Sequence, residues 1–340
     1  MKKQLLFILL ALLVPVAGLA DVWQDPDTKV NYEYEPGSGV ASVKSGNGSF
    51  SGSPATTGDI VIRERICIDG MDYIVTAIGS RAFFNCWKIE SVIIPNSVTS
   101  IGEEAFRGCI GLTKIVMSNS VTSIDYCTFY DCSGLTSIDI PNSVTNIGLL
   151  AFSSCSGLRC LDIPNSVTKI AHLAFSGCTG LTNITIPNSV TSIEPGAFRE
   201  CTSLSSVTLN CSEVGDWFLG NNHIKEVIFG DEVTSISNCA FQGCDSLSSV
   251  TIGEKVSCIG HSAFLGTLWH DSLSMNDGLI YVGKVAYMYS GIMPANTSII
   301  IKDGTLGIAG GAFSDYCDMV SISIPNSVTN IGEGAFRSCI

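Results

Sequence analysis

The sequence predicts a mostly β solenoid, in which short parallel strands and one helical or 3₁₀ turn recur in every 23-residue coil. A block such as "IPNSVTSIGEEAFRGC", from Ile94, returns nearly unchanged from Ile140, Ile163 and Ile186. Self-similarity at a fixed period of about 20 to 29 residues is typical of solenoids. One aromatic residue keeps this period over six coils: Phe83, Phe106, Phe129, Phe152, Phe175 and Phe198. The next ones, after a shorter step and an insertion, are Phe218, Phe241, Phe264, Phe313 and Phe336.

Each stretch of one repeat has a structural assignment, as residues 135–157 illustrate. Ile138 and Ile140 alternate with polar residues, which indicates a short strand with one buried side. Pro141 has no N–H and ends that strand, and Pro-Asn-Ser is typical of a turn. Residues 149–155 suit one helical turn that directs its Phe and Cys inward. A single coil leaves its apolar side uncovered, so stacking of coils has to supply the core.

The repeat resembles the BspA-like leucine-rich repeats, a 23-residue class of bacterial surface proteins. The resemblance rests on the L-x-x-I-x-I-P, V-x-x-I-G and A-F-x-x-C blocks, which recur from about Ile66 to the end of the chain. It implies a leucine-rich repeat solenoid and surface adhesion, with fibronectin, fibrinogen or other bacteria as partners. The chain departs from the pattern at Thr128, at the shortened unit around Trp217, and where Pro is replaced: Asn210, Gly230, Gly253 and Lys302.

The first twenty residues predict export. Lys2 and Lys3 precede an apolar run over residues 5–14, and Gly18-Leu19-Ala20 supplies small residues before a cleavage site. This arrangement is typical of a secretory signal peptide (residues 1–20), cleaved before Asp21. The apolar run is short for a membrane span, and no later stretch predicts a transmembrane segment.

The remaining chain divides into four parts. Residues 21–65 form an N-terminal segment, whose part 36–58 is rich in Gly and Ser and predicts loops, and the start of a capping hairpin around Asp69-Gly70. Residues 66–266 are repeats. Residues 267–299 are a β-hairpin insertion with its turn at Gly283-Lys284, and residues 300–340 are repeats again. The last residues stop inside a coil, which predicts a truncated gene or a fragment.

Eight of the fifteen cysteines share one repeat position, so they predict a ladder of buried thiols and not a metal cluster. Neighbouring coils about 4.8 Å apart hold Cβ atoms farther apart than the roughly 3.8 Å of a disulfide. The seven remaining cysteines leave one unassigned disulfide open. The ladder residues are Cys86, Cys109, Cys132, Cys155, Cys178, Cys201, Cys244 and Cys339.

The composition predicts a binding protein and no enzyme. The net charge of −13 disfavours nucleic acid and anionic membrane surfaces as partners. None of the four histidines lies in H-E-x-x-H, no Ser lies in G-x-S-x-G, and the sequence predicts no cofactor and no metal site. We therefore expect an exported adhesion protein whose partners are proteins or glycans. The alternatives are the non-catalytic repeat arm of a larger exported enzyme and a structural envelope protein.

The outward strand positions are the first candidate binding surface, because they are wide, rich in Ser and Thr and sparsely charged. Asp139 and Asp162 lie one coil apart, where a Ca²⁺ ion would relieve their repulsion, or Arg159 and water would screen it. The candidate residues are Lys114, Asp139, Arg159, Asp162, Thr185, Thr208, Glu226 and Thr251.

The hairpin insertion is the second candidate. Its aromatic residues either fold onto the side of the solenoid or form an exposed finger that grips a partner. They are Trp269, Tyr281, Tyr287 and Tyr289.

Overall fold

The computed structural model describes residues 20–44 and 56–339, so the predicted signal peptide, apart from Ala20, lies outside the described residues. The N-terminal strands are β1 (Asp21–Gln24), β2 (Asn31–Tyr34), β3 (Val40–Val43), β4 (Gly58–Val61), β5 (Arg65–Ile68) and β6 (Met71–Ile78). The coils contribute β7 (Ile89–Ile93), β8 (Ser100–Ile101), β9 (Lys114–Val116), β10 (Ser123–Ile124), β11 (Asn146–Ile147), β12 (Lys169–Ile170), β13 (Asn183–Ile186), β14 (Ser192–Ile193), β15 (Ser206–Leu209), β16 (Glu213–Val214), β17 (Glu226–Phe229), β18 (Ser235–Ile236), β19 (Ser249–Thr251) and β20 (Cys258–Ile259). The last part has α1 (Leu268–Leu273), β21 (Gly278–Val282), β22 (Val285–Ser290), β23 (Thr297–Ile300), β24 (Gly307–Ile308), β25 (Met319–Ser323) and β26 (Asn330–Ile331).

Two ladders of parallel strands run along the solenoid and confirm the predicted fold class. The front ladder contains β4-β7-β9, β13-β15-β17-β19 and β23-β25. The second ladder is made of two-residue strands, such as β10-β11-β12-β14. Equivalent residues of successive coils pair directly, as Asn183 does with Ser206. A coil thus meets its neighbours through the same positions each time, which is why the repeat stays so regular.

A stack of phenylalanine rings fills the core. Phe152 is fully buried, and its ring centroid lies 5.3 Å from that of Phe129 and 5.4 Å from that of Phe175. Adjacent rings in the stack are close to parallel, within 15°. The stack runs through Phe83, Phe106, Phe129, Phe152, Phe175, Phe198, Phe218, Phe241 and Phe264.

The cysteine ladder is a column of thiols beside this stack, and seven of its eight members are buried as predicted, whereas Cys339 is partly exposed. Cys155 is fully buried, and its Sγ donates a hydrogen bond to the Phe129 carbonyl, 26 residues earlier, at 3.1 Å. Cys178 repeats this contact with the Phe152 carbonyl at 3.2 Å. Burial raises the pKa of Cys155 to about 12, so its thiol stays protonated at neutral pH. The column therefore satisfies core carbonyls and presents no reactive thiolate.

Thiol reactivity should separate the cysteines by their position. We expect a thiol-specific alkylating reagent to modify Cys67, Cys160 and Cys317, which are exposed, within minutes in the native protein. Cys155 should stay unmodified until urea unfolds the chain, because only the exposed thiolate reacts. Peptide mass spectrometry measures both. Rapid native modification of Cys155 would contradict the buried ladder.

The predicted helical turn has an unexpected backbone. It consists of successive turns with i to i+3 hydrogen bonds, such as Ser153 N–H to the Leu150 carbonyl at 3.2 Å. Two residues in almost every coil are left-handed, here Leu150 at φ 57° and Ser154 at φ 64°. This alternation directs every second N–H to the next coil: Phe152 N–H donates to the Ala174 carbonyl at 2.8 Å. Hydrogen bonds between coils thus offset the left-handed conformation's energetic cost, which is roughly 1–2 kcal/mol for a non-glycine residue.

The loop prediction for residues 36–58 is wrong for β3, and its part 45–55 lies outside the described residues. Val43 is fully buried, and β3 pairs antiparallel with β2 and parallel with β6, which also forms the expected hairpin with β5. Arg63 Nε and Nη2 bind both carboxylate oxygens of the fully buried Asp25, at 2.7 and 2.8 Å. The end of the solenoid is therefore covered by a small sheet, in which the pairing of β3 with β6 joins residues, such as Val40 and Ile74, that are too distant in sequence for a local pattern to indicate.

The insertion contains a helix as well as the expected hairpin. The Thr267 hydroxyl caps α1 by accepting a hydrogen bond from the His270 N–H at 3.0 Å. β21 and β22 form the antiparallel hairpin, and β22 continues into the second ladder by parallel pairing with β24. The helix was not predicted, because six residues without a buried side carry no clear helical periodicity. The insertion is thus built into the solenoid wall.

Candidate functional site

The strand face is the outward surface of the front ladder. Inward residues such as Val207 are fully buried, whereas the alternate side chains reach solvent. One row of the strand face is Val61, Ile93, Val116, Asp139, Asp162, Thr185, Thr208, Ile228 and Thr251. A second row, two residues earlier in each strand, includes Ser91, Lys114, Asn183, Ser206, Glu226 and Ser249. The surface is apolar over the first coils and rich in hydroxyl groups over the later ones.

The structure brings seven of the eight predicted strand-face residues to this side of the solenoid, one in each of seven coils, whereas Arg159 lies one position before the second row. Thr185 and Thr208 are direct neighbours in register, and Thr251 continues their row. Ser206 Oγ donates to Glu226 Oε2 at 3.0 Å, which holds that carboxylate against the strands. Lys114 and Arg159 are exposed at other coils. The arrangement is an extended surface and not a convergent centre.

Asp139 and Asp162 are paired by an isolated parallel bridge, so their side chains do lie one coil apart on the same side. Among the described residues no ion pair joins Arg159 to either carboxylate. Over residues 20–44 and 56–339, no three His, Cys, Asp or Glu side chains group in a way that could hold a metal ion. Both Asp residues are exposed.

An acidic groove of about 570 Å³ adjoins the strand face where the chain turns after each strand. Its acidic lining consists of Asp162, Asp231 and Glu232, and Glu232 Oε1 accepts from Lys255 Nζ at 2.8 Å. Asn188 and Asn210 add amide groups. Sequence reasoning missed this groove, although the repeated Pro-Asn-Ser turn places an Asn at the same position in several coils. A partner segment that carries positive charge fits this lining.

A second groove opens where the front ladder is interrupted. β9 pairs with β7 on one side only, and the next coil rejoins the ladder through the bridge at Asp139. The resulting gap of about 650 Å³ is lined by Lys114, Val116 and Asp139 among others. Lys114 and Asp139 thus lie along one opening with opposite charges.

The aromatic residues of the insertion fold onto the side of the solenoid, so the alternative prediction of an exposed aromatic finger is wrong. Trp269 lies on α1, outside the hairpin, with its ring centroid 4.9 Å from that of Phe264. Tyr287 is only 7% exposed, and its hydroxyl lies 2.8 Å from His270 Nδ1. The Tyr281 hydroxyl accepts from the Lys302 N–H at 3.0 Å, and Tyr289 is half-buried. Trp269 and Tyr287 cover the end of the phenylalanine stack at Phe264, whereas Tyr289 packs against Tyr316, with ring centroids 4.9 Å apart.

Several solved structures are similar to this chain. A leucine rich cell surface protein of Faecalibacterium prausnitzii is 24% identical, with 95% of this chain and 93% of that chain covered and a TM-score of 0.46. The pneumococcal vaccine antigen PcpA is 18% identical, with 95% and 86% covered and a TM-score of 0.50. A leucine rich repeat protein of T. pallidum is 26% identical, with 73% and 90% covered and a TM-score of 0.40. No curated protein matches the chain.

None of the helices in the described part has the length and apolar character needed to cross a bilayer.

The family described as BspA type leucine rich repeat region matches the chain in six copies, over residues 76–205, 168–294 and 212–340. Those ranges include the stacked coils, the phenylalanine stack and the thiol column. The chain therefore belongs to the BspA type leucine-rich repeat family.

Proposed function

We propose that this chain is an exported surface protein that binds an extended protein partner along its strand face, and that it acts by binding and not by catalysis. The in-register row of outward side chains carries the proposal, because it presents one outward side chain per coil along an extended surface, with hydroxyl groups at Thr185, Thr208 and Thr251. Many weak, similar subsites that act together give avidity. The predicted signal peptide supports export, and membership of the BspA type family favours adhesion.

The charge of the surface indicates which kind of partner segment fits it. The acidic groove lies beside Thr185 and contains Asp162 and Asp231, which favours a partner segment with Lys or Arg side chains. Such contacts on an exposed surface weaken as salt screens them. The family resemblance favours matrix proteins, and fibronectin and fibrinogen are the partners to test first.

Surface plasmon resonance of the purified protein over immobilised fibronectin and fibrinogen tests the proposal. We expect saturable binding that weakens with rising salt. A triple variant, Thr185→Lys, Thr208→Lys and Thr251→Lys, should bind at least about tenfold more weakly, because three bulky charged side chains obstruct the strand face.

The matched control adds the same three charges elsewhere on the same solenoid. Ser156→Lys, Thr179→Lys and Thr202→Lys alter exposed turn residues away from the strand face and should leave binding unchanged. Equal loss in both variants would contradict the strand face as the site. No saturable binding to either matrix protein would contradict the choice of partner.

A further inference from the structure

The shortened coil creates an opening on the turn side of the solenoid. Phe218 follows Phe198 after 20 residues, whereas the regular step is 23. The core tolerates this change: the two rings still stack at 5.4 Å, and Thr208 still pairs with Ile228 in the front ladder. The shortened coil therefore has fewer residues in its turns, and only the turns differ in shape from those of a regular coil.

The backbone ladder of the turn side is interrupted at this coil. One coil earlier it is intact, since Phe175 N–H donates to the Ala197 carbonyl at 2.8 Å and Gly177 N–H to the Arg199 carbonyl at 2.8 Å. Within the described chain, the Phe198 and Glu200 N–H groups donate no hydrogen bond to the following coil. The ladder resumes when Gly220 N–H donates to the Gln242 carbonyl at 2.9 Å. Backbone donors are thus left at the edge of the opening.

The opening is a pocket of about 540 Å³, which we name the short-coil pocket. This volume falls within the range of about 300–1,000 Å³ that is usual for small-ligand sites. Its lining residues with aromatic or polar side chains include Arg199, Glu200, Asp216, Trp217, Asn222 and His223.

Trp217 is the distinctive wall of the short-coil pocket. It occupies the repeat position at which neighbouring coils have the buried Ala197 and Ala240. The indole is half-buried, and its Nε1 lies 2.5 Å from where a Cβ on Gly215 would be. A residue with a side chain at Gly215 would displace the ring, so the local sequence suits this placement of the indole. The pocket therefore has an aromatic wall at a repeat position where the neighbouring coils have alanine.

The charged residues around Trp217 are more negative than positive, which disfavours the binding of a small anion. Arg199 contributes one positive charge, and its Nε lies 3.4 Å from Glu200 Oε1. Glu200 and Asp216 contribute two negative charges to the same lining. Carboxylate, amide, guanidinium and imidazole groups together offer both donors and acceptors. Hydroxyl groups, which both donate and accept, are the complementary ligand chemistry.

We propose that the short-coil pocket binds a neutral saccharide. The C–H face of a pyranose ring packs on the Trp217 indole, which has a large apolar surface. Sugar hydroxyls bond to Asp216, Asn222 and Arg199, which line the same pocket. The proposal is independent of the strand face, because the pocket lies across the core from it.

Calorimetric titration and saturation-transfer NMR with methyl glycosides of galactose, glucose, mannose and N-acetylglucosamine test this proposal on the purified protein. We expect at least one of them to bind saturably. Trp217→Ala, which restores the residue of the regular repeat, should weaken binding about tenfold or more. Asp216→Ala, at an exposed position, should also weaken it, and Trp87→Ala, in the first coil, should leave it unchanged.

Three results would overturn the proposal: no saturable binding of any of the four sugars, unchanged binding by Trp217→Ala, or binding of sialic acid or sulfate alone. Comparing the sugar that binds with a trisaccharide that ends in it identifies the source of the ligand. Tighter binding of the trisaccharide indicates a cell-surface glycan, and equal binding indicates a free sugar. Sugar binding in the short-coil pocket and matrix-protein binding on the strand face are measured separately. One proposal can therefore fail while the other holds.

Discussion

Replacing Phe152 with alanine is expected to lower the free energy of unfolding by about 3–5 kcal/mol. Phe152 is fully buried between two parallel rings at 5.3 and 5.4 Å. Its removal leaves a cavity that the neighbouring coils cannot fill, because inter-coil hydrogen bonds hold their backbones on both sides. Equilibrium unfolding in urea, followed by circular dichroism, measures the change.

Leu149→Ala is the matched control for Phe152→Ala. It removes an apolar side chain from the same turn, but Leu149 is 39% exposed. The free energy of unfolding should fall by less than about 1 kcal/mol, since little buried surface is lost. A similar loss in both variants would show that the turn, and not the stacked ring, determines stability at this coil.

Asp25→Asn is expected to destabilise the N-terminal sheet by about 2 kcal/mol at pH 7, and to have little effect near pH 2. Burial by itself raises the pKa of Asp25, but hydrogen bonds from Arg63, the Asp27 N–H and Thr28, with the charge of Arg63, lower it to about 2. A lowered folded-state pKa stabilises the folded protein above the unfolded value of 3.8. This stability is lost as pH falls from about 4 to about 2.

Hydrogen exchange of the β1–β3 amides, measured between pH 2 and pH 7 with correction for the intrinsic rate, tests this expectation. Protection in the native protein should fall through that window, and protection in Asp25→Asn should change little. Asp27→Asn is the control, because Asp27 binds the same Arg63 but is 78% exposed, so its contact contributes about 1 kcal/mol or less. A constant difference between Asp25→Asn and the native protein down to pH 2 would contradict the role of the carboxylate charge.

Periodicity made the solenoid predictable, because one coil is a local pattern. The alternation of Ile138 and Ile140 identifies their inward side, and both are buried. Phe152 and Cys155 recur at fixed positions, and the structure places both in the core. The hairpin around Gly283-Lys284 was predictable because it too is a local pattern, in which a two-residue turn lies between two short apolar runs. The strand face followed from the alternation as well.

The features that escaped prediction depend on residues that are far apart in the sequence. β3 pairs with β6, whose residues, such as Ile74 beside Val40, come much later in the chain. The interruption of the front ladder beside Lys114 and the acidic groove at Asp231 arise from how unequal turns meet, which no single repeat reveals. The short-coil pocket belongs to the same group: the sequence indicates a shorter step at Trp217, but not where the missing length opens the wall.

The sequence by itself determined the repeat, its inward residues and the stacking of coils, because burial of an apolar side follows directly from spacing along the chain. Only the tertiary structure decided the left-handed backbone at residues such as Leu150, the covering sheet held by Asp25 and Arg63, and the grooves. A residue with a side chain, such as Leu150, disfavours the left-handed conformation when taken alone, because its Cβ approaches the backbone too closely. Hydrogen bonds to the next coil offset that preference, and they exist only once the coils are stacked.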